Sequence, residues 1–254
     1  MIDAVVTELG TGVKSTSSVL FQTARRAWYA TADTGTILQG DFDDDTVRNT
    51  FYNTASASIL FDYTMNAVAD GNDNRGTRMV SDCSSTVQHF IEVAAPGHFA
   101  DLISLMPMRY EDPKRLLAED FHAAFSYYAV RPSAYWEATY NLAEVVPGDI
   151  MSYRANANMS GTGHVGVVYS VTATANDLWE ASSGIIYQIK LYHAISDPGD
   201  ALGDAVGYRL STRYAEYDNV RKAITSFSES SDGSDPTRVV GAVFGHAKGN
   251  ILLR

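Results

Sequence analysis

The hydrophobic period of this chain changes at Pro147-Gly148, and that change sets its broad class. Before it, apolar residues recur at helical spacing: Val19, Leu20, Ala24 and Trp28 in residues 16–30, Ile59, Leu60, Tyr63 and Ala67 in residues 56–69, and Val87, Phe90, Ile91 and Ala94 in residues 83–94. After it come short β-rich runs at 149–153, 164–171, 177–182 and 185–192, with 207–210 and 238–244 as closing strands. Residues 172–176 have hairpin-loop size and are expected to join 164–171 to 177–182. Helices first and sheet afterwards predict an α+β fold. Between the two regimes, residues 98–140 read as a mixed insertion with helical parts, interrupted by Pro107, Pro113 and Pro132 and expected to form a lid or cleft wall. Residues 226–235 read as a polar Ser/Asp-rich loop.

With 254 residues the chain can bury a full core, and one domain over 1–254 is expected: an N-terminal helical part (1–75), a core (76–190) enclosing the 98–140 insertion, and closing strands (191–254). A formal net charge of −11 and the absence of a Lys/Arg run argue against a nucleic-acid or anionic-membrane partner. No apolar stretch approaches the ~20 residues of a membrane span. The first residues lack a basic segment followed by a long apolar run, so no secretory signal is visible. Cytoplasmic residence, export by another route and a removed leader all stay open. The acidic turns at 40–45 and 70–74 lack the glycine and terminal glutamate of a calcium loop and read as ordinary loops.

The only cysteine, Cys83, stands in Ser81-Asp82-Cys83-Ser84-Ser85 at the expected first turn of the 83–94 helix, with Ser81 and Asp82 as cap residues and Pro96-Gly97 as the stop. Unpaired amide groups and the positive dipole end of a helix stabilise a thiolate, the nucleophilic form. A lone cysteine also serves well as a small buried hydrophobe, so its chemistry depends on a base within reach.

Of six histidines, His89, His98, His122, His193 and His246 stand in contexts that suit structural roles. His164 differs. It opens a strand directly after Ser160-Gly161-Thr162-Gly163, and a hairpin over 172–176 would bring Glu180 beside it to hold the imidazole in one tautomer and orientation. A one-residue slip in register would turn Glu180 away. No His/Cys/Asp/Glu cluster has ligand spacing, so neither a metal nor another cofactor is expected.

Four local sequences appear in order: Asp82-Cys83-Ser84, Val146-Pro147-Gly148-Asp149-Ile150, Gly163-His164-Val165-Gly166-Val167-Val168 and Leu178-Trp179-Glu180-Ala181-Ser182. Together they resemble the NlpC/P60 family of cysteine peptidases, within the papain-like group that includes the CHAP amidases, over roughly residues 76–190. The resemblance implies a nucleophile-bearing helix packed on an antiparallel sheet, with extra N-terminal helices and a helical insertion. It implies Cys83 as nucleophile, His164 as general base and Glu180 as the third polar residue. It also implies an acyl-enzyme route to amide cleavage in a bacterial cell-wall peptide or related small peptide. The chain departs from the family pattern in having Ser85 where a glycine is usual, in lacking the aromatic lead-in before the cysteine, and in its long interval from Cys83 to His164. The same three residues would serve an acyltransferase, and the same scaffold a non-catalytic structural or virion module. Scissile bond and oligomeric state are not encoded in these patterns.

Overall fold

The computed structural model describes residues 12–32, 60–63, 78–81, 83–106, 116–154, 163–174, 184–195, 207–228, 236–237 and 241–253. In chain order the elements are β1 (Gly12–Ser15), α1 (Thr16–Ala32), β2 (Leu60–Tyr63), β3 (Arg78–Ser81), α2 (Cys83–Ala94), α3 (Pro96–Ser104), α4 (Ala118–Val130), β4 (Trp136–Thr139) and β5 (Ile150–Arg154). They continue with β6 (Gly163–Ala173), β7 (Ile185–Ile195), β8 (Gly207–Asp218), β9 (Ala223–Ser228), β10 (Pro236–Thr237), β11 (Val243–Ala247) and β12 (Asn250–Leu253). The fold is α+β: helices packed on an antiparallel sheet in the order β10-β9-β8-β7-β6-β5-β11-β4.

Strand alternation divides the apolar side chains between two cores. Ile150, Val165, Val167, Tyr192, Ala194 and Val243 face the helices and meet Val19 and Leu20 of α1, Val87, Phe90 and Ile91 of α2, and Phe121 and Phe125 of α4. Their sheet neighbours Met151, Tyr153, Val168, Ile189, Leu191 and Phe244 turn to the opposite face and close on Ala215, Tyr217 and Phe227. Each fully buried aliphatic or aromatic side chain contributes roughly 1.5–3 kcal/mol, so both layers are needed to order a sheet of this width.

Three expectations are corrected. Residues 56–69 do not form the helix their spacing suggested: within them Leu60–Tyr63 is a strand, paired in parallel with β3. Its Leu-Phe-Asp-Tyr sequence also suits a pleated surface, and short apolar runs fit either period until tertiary pairing decides. The 98–140 segment is not a lid over its described length. Helix α4 lies in the main core, with Phe121 and Phe125 fully buried and the Phe125 ring tilted against that of Trp136 at 5.3 Å. Residues 226–228 belong to β9 and not to a loop. The break at Pro96-Gly97 is a junction: Pro96 opens α3, where its missing N–H costs nothing.

The Pro147-Gly148-Asp149 turn has a physical reason for each part. Gly148 has φ +96°, and a Cβ there would lie 2.0 Å from the Ser17 carbonyl oxygen, so only glycine lets α1 dock on the turn. The buried Asp149 carboxylate accepts the Val146 N–H at 2.9 Å and bonds His246 Nδ1 at 2.7 Å.

Candidate active site around His164

Cys83 is the first residue of α2 and is buried, 7% exposed. The helix is fixed by its apolar face, which seats Val87, Phe90 and Ile91 against β6 and β7. Gln88 anchors its flank by accepting the Leu116 N–H at 2.8 Å and donating to Glu92 at 3.1 Å.

His164 stands second in β6, after Gly163 with φ +121° and opposite Tyr153 of β5, whose ring lies 5.9 Å away. Its Nε2 bonds Nδ1 of His193 at 2.5 Å, and the two rings meet edge to face. His193 in turn bonds the Ser211 hydroxyl through Nε2. The three side chains run from β6 across β7 to β8 on the second-core face of the sheet, with His193 and Ser211 buried and His164 half-buried at its start. Gly166 makes room for it, since a Cβ there would approach His193 Cβ to 3.0 Å. Burial, reinforced by the charge of Arg213, drives His164 down to about 3, so the ring is neutral at neutral pH.

Cys83 and His164 are therefore carried by elements in contact, but no hydrogen bond joins the thiol to the ring. The helix of Cys83 packs on the face occupied by Val165 and Val167, whereas His164 shares the opposite face with Tyr153 and His193. Glu180 lies outside the described residues. The expected short hairpin at 172–176 is corrected: β6 pairs with β5 on one side and with β7 on the other, where Ala173 faces Tyr187. The ring partner found on that neighbouring strand is His193.

His193 and Ser211 were not singled out from the sequence. The available signal was Tyr187, Ile189, Leu191 and His193 at period two, which places a histidine at the end of an apolar strand face, together with the glycine of His164-Val165-Gly166. His98, His122 and His246 make structural hydrogen bonds. His98 bonds the Lys248 carbonyl at 2.8 Å and His122 the Gly241 carbonyl at 2.6 Å, and burial lowers both. The Asp149 hydrogen bond raises His246, while burial pushes Asp149 itself up. Tyr128 and Trp136 are core residues, whereas Tyr127 and Tyr135 are exposed. Among the described residues no group of three His, Cys, Asp or Glu side chains is arranged to hold a metal ion, and no helix is long and apolar enough to cross a membrane.

No protein-family model, curated protein or solved structure matches this chain.

Proposed function

We propose that this chain is a cysteine hydrolase cleaving an amide bond on a papain-like, NlpC/P60-type scaffold, with Cys83 as nucleophile and His164 as proton carrier. The observation that carries the reading is the relay from His164 through His193 to Ser211. It occupies Nε2 of His164 and leaves Nδ1 as the nitrogen that exchanges protons, on a strand packed against the Cys83 helix. A neutral ring is the form that accepts a proton, and its depressed value makes it a weak base whose cation the developing thiolate must stabilise.

In this mechanism Cys83 Sγ attacks the amide carbonyl while its proton passes to Nδ1 of His164. The C–N bond breaks as that proton moves to the leaving amine, giving a thioester. Water then loses a proton to the same nitrogen, attacks the thioester and releases the acid and the thiol. The Cys83 N–H, at the helix start, is the first oxyanion donor. The reading requires thiol and ring to meet at the start of β6, around Gly163. The proposed substrate is a bacterial cell-wall stem peptide or a related small peptide.

The experiment is a digest of purified stem peptides with product masses read out, with and without an added amine acceptor. Hydrolysis by the native chain, abolished in Cys83→Ala and in His164→Ala, is expected. Capture of the acyl group by the amine would indicate an acyltransferase. Retained activity in Cys83→Ala would remove the mechanism. The placement of thiol and imidazole on opposite faces of β6 favours a second reading, a non-catalytic module on the same scaffold. Inertness of the native chain, together with slow alkylation of Cys83 that His164→Ala leaves unchanged, would establish that reading instead.

A further inference from the structure

We infer that Ser211 is a positioning residue that locks neutral His164 in one resting tautomer, with the ring proton on Nδ1. Its consequence for catalysis rests on the hydrolase reading above, whereas the tautomer itself does not.

The Ser211 hydroxyl is buried on β8, and its hydrogen bond goes to Nε2 of His193. Were that oxygen to accept from His193, the hydroxyl proton would itself be buried without an acceptor, a costly arrangement. Ser211 therefore donates to Nε2. In the uncharged form that its complete burial favours, His193 then carries its own proton on Nδ1 and donates it to Nε2 of His164 across 2.5 Å. Nε2 of His164 is thus an acceptor, and the proton of the neutral ring stands on Nδ1. Protonating His164 would set one N–H against another.

The resting tautomer is the unreactive one. Nδ1, the nitrogen outside the relay, already holds a proton and cannot take one from a thiol. To act as a base, the ring must pass to the reversed relay, with His164 Nε2–H donating to His193 Nδ1 and His193 Nε2–H donating to Ser211. The reversed relay holds the same number of protons, but the Ser211 hydroxyl proton loses its acceptor. That penalty biases the two tautomers on the order of ten- to a hundredfold. Ser211→Ala removes the bias, Ser211→Thr keeps it, and His193→Gln cuts the relay.

The tautomer is read directly from long-range proton–nitrogen correlation spectra of uniformly 15N-labelled protein at neutral pH. Native protein and Ser211→Thr are expected to show His164 with protonated Nδ1 and bare Nε2. Ser211→Ala and His193→Gln are expected to move both nitrogens toward intermediate shifts. A native ring protonated on Nε2, or spectra unchanged in both Ser211→Ala and His193→Gln, would overturn the inference. A parallel measurement of Cys83 alkylation by iodoacetamide separates this idea from the functional reading. Faster alkylation in Ser211→Ala, by about tenfold, supports both. A tautomer change with alkylation unaffected leaves the lock standing and removes Cys83 from its partnership with His164.

Discussion

The depressed histidine at the centre of the relay makes stability depend on acid in a defined window. His164 is held at about 3 in the folded chain, against 6.5 for an unconstrained imidazole. Between those values the unfolded chain binds a proton that the folded chain refuses, so stability rises with pH and is lost as pH falls from about 6.5 toward 3. At pH 4.5, two units below the unfolded value, the full loss would be about 3 kcal/mol at roughly 1.4 kcal/mol per unit. His164 keeps some contact with solvent, which reduces the expected loss to about 1–2 kcal/mol. Urea unfolding of native protein and His164→Gln at pH 7.5 and 4.5 isolates this quantity. Groups common to both proteins, such as Asp149, cancel in the double difference, as does any pH-independent cost of losing the bond to His193. Native protein should lose about 1–2 kcal/mol more than the variant on acidification. Equal losses would refute the claim that this ring stays neutral in the folded chain, and with it the general-base role assigned to a neutral imidazole.

The turn at Gly148 and the bond to His193 are each open to a single substitution. Gly148→Ala places a methyl group 2.0 Å from a backbone oxygen of α1 and forces a non-glycine residue to φ +96°. Strain and overpacking together should cost about 2–4 kcal/mol. A melting temperature lower by on the order of 5–15 °C is expected, and an unchanged one would contradict the docking of α1 on this turn. For the orienting residue, His193→Gln should reduce turnover more than Glu180→Gln, on the order of tenfold or greater, because His193 is the side chain bonded to Nε2 of His164. The reverse order in kcat, with both variants folded by circular dichroism, would return the orienting role to Glu180.

The α+β class was readable because the change of period at Pro147-Gly148 depends on alternation alone, and alternation follows from which side of an element meets the core. Helix α2 was readable for the same reason: Val87, Phe90, Ile91 and Ala94 define one face whatever they pack against. The β2 segment was not, because its sequence satisfies both periods and only its pairing with β3 decides between them. The candidate site divides along the same line. His164 could be found from its place at a strand start, but its partner depends on which strand lies alongside and in what register, and the register with β7 shifts between Val168 and Ser170. With residues 185–195 as that neighbour, the glycine of His-Val-Gly faces His193, and the side chain bonded to His164 is an imidazole backed by a serine from one strand further on. A bonded neutral pair of this kind has a direction, set by the hydroxyl at its end, that puts the proton of His164 on the nitrogen away from its partner, whereas a carboxylate only accepts and fixes the proton on the nitrogen that faces it. The difference between Glu180 and His193 as partner is therefore a difference in where the resting proton sits, and the nitrogen shifts of His164 distinguish the two without any substrate.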